Sequence, residues 1–139
     1  MITMQQIANG ETLAEVQGMT EELGRAVAGF AADAMEAGRL DTAREILEGL
    51  AVTNPYDPAS WTMLALVERR RGRLLAARIC AETAFRLAPG DAQVRLVRAE
   101  VLLGTPEERP RARDELTRLR GDAGEVGARA RALLVALGE

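Results

Sequence analysis

Side-chain catalysis needs groups that shuttle protons, bind metals or attack electrophiles, and this sequence of 139 residues holds few of them. It has no histidine, the commonest general base and transition-metal ligand. Cys80 is its one cysteine, too few for a zinc site and unable to form an internal disulfide. All 18 basic residues are arginine, so the lysine of a Walker-type phosphate loop is missing. Carboxylates do occur in close pairs: Glu45 with Glu48, Glu107 with Glu108, and Asp114 with Glu115. Each pair stands among arginines at helical spacing, the pattern of a solvated helix face rather than of an acid and its base. No catalytic residue, metal site or cofactor is expected, and the chain does not read as an enzyme.

Three other features invite chemistry and have plainer explanations. Cys80 falls between Ala77 and Ala84 on one helical face, which predicts a buried packing thiol. Arg69, Arg70, Arg71 and Arg73 form the only basic cluster, at a predicted helix end where cations complement exposed carbonyls. Trp61 is most simply a core residue. With a net charge of -3 there is no basic footprint for nucleic acid. The run Leu133 to Leu137 is far too short to span a bilayer, and Met1 to Gly10 has neither the charge nor the apolar core of a signal peptide. A soluble, cytoplasmic protein is expected, with no nucleic acid and no membrane insertion among its partners.

The elements that carry these residues are helical. Apolar faces recur at helical spacing from Gly24 to Leu119, with breaks at Gly38, Asn54 to Asp57, Gly72, Pro89 to Asp91 and Gly104. Asp57 before Pro58, and Asp91 before Ala92, mark helix starts, whereas Pro55 and Pro89 mark stops. Aromatics are only 3% of the chain, so leucine, valine and alanine must fill the core. A shift of thirty-four residues takes Gly38, Ala43 and Pro55 to Gly72, Ala77 and Pro89. A period of that length is the mark of stacked helical hairpins.

The stretch Pro58 to Asp91 resembles a tetratricopeptide repeat. Trp61, Leu64, Ala65, Ala77, Ala84 and Pro89 stand at that family's tryptophan, leucine, small residue, two alanines and closing proline. Glu68 and Ala81 depart from it, since aromatics are usual there, which predicts a lean hairpin. The preceding unit matches through Phe30, Ala31, Gly38, Ala43, Leu47, Leu50 and Pro55, with Val27 in place of the tryptophan. The third unit places Arg95 and Arg98 where apolar residues belong, and its Gly104 to Ala112 step is eight residues instead of five. The resemblance implies an all-α, right-handed superhelix of about three hairpins. Its expected parts are a lead-in helix (1–23), repeats at 24–57, 58–91 and 92–121, and a capping helix (122–139).

In such repeats the first helix of each hairpin lines a concave groove, and the resemblance carries the groove onto numbered positions. They are Ala28, Ala32 and Met35, then Thr62, Leu66, Arg69 and Arg70, then Leu96, Glu100 and Leu103. Repeats that capture a C-terminal carboxylate need polar residues where Ala28, Ala32 and Leu66 stand, so a co-chaperone of the heat-shock type is not expected. An apolar groove suits an extended hydrophobic segment instead. The chain is most similar to the class II chaperones of bacterial type III secretion, through Ala34 to Leu50, Asn54 to Asp57 with Trp61, and Ala99, Glu100, Leu102, Leu103 and Gly104. That resemblance implies a cytoplasmic chaperone holding an apolar segment of a translocator protein. The alternative is a general repeat scaffold or assembly subunit that binds through its end helices or convex face. Leu13, Val16 and Leu23 near the start, and Leu133, Leu134 and Leu137 near the end, are candidates for self-association into a homodimer.

Overall fold

The computed structural model describes residues 21–138. Among them are seven α-helices and no strand: α1 (Glu21–Glu36), α2 (Leu40–Thr53), α3 (Pro58–Arg70), α4 (Leu74–Leu87), α5 (Ala92–Leu102), α6 (Arg109–Leu119) and α7 (Glu125–Ala136). Leu13 and Val16 lie outside the described residues.

The helix ends follow from the side chains at them. Asp57 accepts the Ala59 amide hydrogen at 3.0 Å, with Pro58 preset in the first turn. Asp91 accepts from Gln93 and Val94 at 2.9 and 3.2 Å, satisfying two of the amides that a helix start leaves open. Gly38 and Gly72 end α1 and α3 at φ of 77° and 79°, a conformation that suits glycine. Past each glycine the chain folds back, Arg39 N–H donating to the Ala34 carbonyl and Arg73 N–H to that of Glu68.

Close helix approach requires small side chains, and the repeat supplies them in register. Ala31, Ala65 and Ala99 on the first helices are at most 1% exposed, as are Ala43, Ala77 and Ala112 on the second helices. Within each hairpin the two helices pack together, and each second helix also packs on the first helix of the next unit: α2 on α3, and α4 on α5. The first helices α3 and α5 touch as well.

The core falls into two clusters that meet at α5. One, built on Leu47, Val67, Ala77 and their neighbours, takes Val97 and Val101 from α5. The other gathers Leu96 and Ala99 from α5, Leu116 and Leu119 from α6, and Ala130 and Leu134 from α7. The irregular step after Gly104 has a simple form. Its extra residues make one 3₁₀ turn, Pro106–Glu108, ahead of α6. Glu108 in that turn accepts from Arg78 of α4 at 3.0 Å, tying the third hairpin to the second. That bond, with Arg111 at 3.5 Å, holds the Glu108 carboxyl below the usual carboxylate range.

The end stripe corrects one expectation. Leu134 is 4% exposed inside the second cluster, with Leu133 and Leu137 packed against it, so α7 turns this face inward to cover α5 and α6. The large apolar residue that α7 exposes is Val135. Leu23 on α1 is half exposed.

Candidate functional site

The expected groove residues divide by exposure. Ala28, Ala32, Met35, Leu66 and Leu103 are half-buried, each keeping part of its surface open. Leu96 and Thr62 are sealed. Leu96 is 4% exposed in the second cluster, because α7 packs across α5 where a groove drawn from the repeat alone would continue. The Thr62 hydroxyl turns back to the Pro58 carbonyl at 2.7 Å and offers nothing outward.

The charged members form a chain of ties between the first helices. Arg70 Nη1 donates to the Met35 carbonyl at 3.4 Å, joining α3 to the end of α1. Arg69 reaches the Glu100 carboxylate at 4.0 Å, joining α3 to α5. Arg129 of α7 donates to the same carboxylate at 2.7 Å. Glu100 is buried, and two guanidiniums on one carboxylate make that burial tolerable. Met35, Arg70, Arg69 and Glu100 are thereby brought together at one end of the first helices. The arginine cluster is therefore more than a helix stop. Its Arg71 donates to Glu68 at 2.6 Å and to Asp41 at 3.1 Å, bridging α3 and α2. Apart from Arg71 with Glu68, sequence reasoning missed these ties because their partners lie about thirty residues away in the chain.

Two open slots lie on the side of the second helices. Both α2 and α4 pack onto α3, and a cavity of about 550 Å³ lies between them. Its floor is Trp61, Leu64 and Glu68 of α3, and its walls are Ala51 and Val52 of α2 and Ala76 and Cys80 of α4. Trp61 is half-buried rather than sealed in the core, and its indole N–H donates to the Pro55 carbonyl at 2.8 Å. Cys80 is buried as expected. Burial, and then the Glu68 and Glu48 charges, push its thiol up to about 11. Glu68, at a position where the repeat family usually has an aromatic ring, lines this space, whereas Ala81 is packed in the core.

One repeat on, a second cavity of about 430 Å³ occupies the corresponding place between α4 and α6. The thirty-four-residue shift takes Ala51, Pro55, Trp61 and Leu64 to Phe85, Pro89, Arg95 and Arg98, all of which line it. Arg95 bonds Glu115, while Arg98 bonds Glu82 at 2.8 Å and lies over the Phe85 ring at 4.1 Å. What reads as degeneracy in the third unit is a change of chemistry in one notch, from apolar to ion-paired.

No protein-family model matches the sequence, and comparison with curated proteins gives no match. Solved structures define the class: the chain has an all-helical, tetratricopeptide-like fold, shared with the first such domain of Spaghetti (RPAP3) bound to an HSP90 peptide. That likeness has a TM-score of 0.67 at 16% identity, over 86% of this chain and 97% of that one. The same fold is that of the translocator chaperone SycD of Yersinia enterocolitica type III secretion, with a TM-score of 0.78, 17% identity, and 91% and 98% of the two chains covered. SycD carrying a peptide of the translocator YopD matches at 0.69, again with 17% identity, over 86% and 95%. A type III secretion complex from Aeromonas hydrophila matches at 0.78 with 19% identity, over 96% and 93%. Of these neighbours SycD is a translocator chaperone, and the Spaghetti domain is a repeat bound to a peptide. No described helix of this chain is long and apolar enough to cross a membrane.

Proposed function

We propose that this chain is a cytoplasmic, non-enzymatic chaperone that holds an extended apolar segment of a secreted, translocator-type protein along its first helices. The observation that carries this reading is the row of half-buried apolar residues Ala28, Ala32, Met35, Leu66 and Leu103, flanked by Arg69 and Arg70. Apolar side chains of an extended partner gain by leaving water there, and the guanidiniums are placed to bond its backbone carbonyls or an acidic neighbour. The likeness to SycD with its YopD peptide supports the same use of the fold.

Peptides tiled along the protein that co-purifies with this chain from its native cell, titrated calorimetrically, test the reading. At least one apolar peptide is expected to bind, and Ala32→Glu with Leu66→Glu is expected to weaken it at least tenfold while circular dichroism stays unchanged. Leu96 is not a suitable probe, since a glutamate there would break the second cluster. Binding that survives the double substitution would move the site to the end helices or the outer face.

A further inference from the structure

The outward slot between α2 and α4 combines an apolar enclosure with a buried negative charge. We propose that it receives a lysine side chain from an amphipathic segment of a partner protein, the alkyl stem lying along Trp61 and Leu64 and the ammonium reaching Glu68. The inference is independent of the groove reading, because the slot opens between second helices.

Glu68 is 7% exposed and lines the slot. Its cation, Arg71, is divided between Glu68 and the Asp41 carboxylate, so one guanidinium serves two acids. Glu48 on the opposite wall is matched by Arg44 at 2.8 Å, and no basic residue lines the slot. Two carboxylates, Glu48 and Glu68, thus line an otherwise apolar slot, while the arginines paired with them, Arg44 and Arg71, stand outside its lining. Cys80 adds no charge, its thiol staying protonated at neutral pH. A cation entering such a site meets a carboxylate shielded from water, where charge-assisted bonds are strongest, and passes an indole face that itself attracts cations.

The chain already shows that this notch accepts cations. In the corresponding slot one repeat on, Arg95 and Arg98 stand where Trp61 and Leu64 stand here, and both heads rest on carboxylates of neighbouring helices. There the chain lines the notch with its own guanidiniums, whereas here no basic residue lines it. A partner segment, rather than a free amine, is indicated by the rim, where Val52 is 66% exposed and Pro55 is exposed. Apolar residues flanking the lysine would cover both.

Trp61 is the only tryptophan, so its indole N–H resonance in the full chain reports on the slot alone. Three probes are titrated: n-hexylammonium, n-hexanol, and a helical alanine-based peptide with one lysine flanked by leucines. The ammonium is expected to shift the resonance saturably and at least tenfold more tightly than the alcohol, and the peptide tenfold more tightly again. Replacing the peptide lysine by norleucine should cost at least tenfold. Glu68→Gln should erase the preference for the ammonium, and Ala76→Leu, which narrows the slot and leaves the Glu68–Arg71 pair intact, should abolish binding. The proposal is overturned if no probe shifts the resonance, or if alcohol and ammonium bind equally. Equal binding of the norleucine peptide, or a peptide no tighter than the free amine, would overturn it as well.

Discussion

At the scale of single residues, placement decides what each reactive group can do. Cys80 is buried beside two carboxylates, so its thiolate is disfavoured and it is a poor nucleophile. Its alkylation by iodoacetamide should keep rising past pH 9, where an ordinary thiol levels off, and flatten only near pH 11. A plateau near 9 would show that the thiol is not held by its surroundings. The same shift carries a stability consequence of definite sign. The thiol is harder to ionise folded than unfolded, so its contribution is complete below about pH 9 and is lost as pH climbs toward about 11. The composition already excluded much chemistry, and the carboxylate pairs proved to be parts of salt links: Arg44 with Glu48, Arg78 with Glu108, Arg95 with Glu115. What the sequence hid is the use of those charges between units. Arg69 with Glu100 and Arg71 with Asp41 join residues about thirty positions apart, and no local pattern encodes such pairs.

At the scale of elements, the repeat was readable where backbone geometry is demanding. Asp57 and Asp91 cap helices, Gly38 and Gly72 turn them, and the paired alanines let them approach, all functions tied to residue type at one position. Gly72→Ala should therefore destabilise by about 1–2 kcal/mol, the cost of a Cβ in left-handed backbone. Gly90→Ala, at an open position without positive φ, should be neutral or stabilising by up to about 1 kcal/mol. Equal losses from both in urea denaturation would contradict this account of the turns. The groove positions Leu96 and Thr62 were less legible because the carried-over pattern describes one hairpin in isolation. The packing of α7 over α5 seals Leu96, and a local hydroxyl bond withdraws Thr62. Likewise, Arg95 and Arg98 read as lost core residues when only their own helix was considered, although their partners Glu115 and Glu82 sit on α6 and α4.

At the scale of the whole molecule, the divided core sets how the protein loosens. Leu47 and Ala77 belong to the first cluster, and Leu116 and Leu134 to the second, with α5 alone supplying residues to both. The second cluster is the smaller, and its hairpin is held to the rest partly by ion pairs open to solvent, such as Arg78 with Glu108. Amides of α6 and α7 should thus exchange with deuterium through an opening that leaves α2 to α4 protected. A single shared exchange free energy for Leu47 and Leu116 would count against two units. Acid should widen the gap. Glu108 is easier to ionise folded than unfolded, so its support is present above the ordinary carboxylate range and fades as pH falls through and below it. In such an opening α5, shared by both clusters, would serve as an axle about which α6 and α7 would rock while the first two hairpins keep their shape. A ligand laid from α1 across to Leu103 would brake that rocking, so occupancy at one end of the chain would be felt as stiffness at the other.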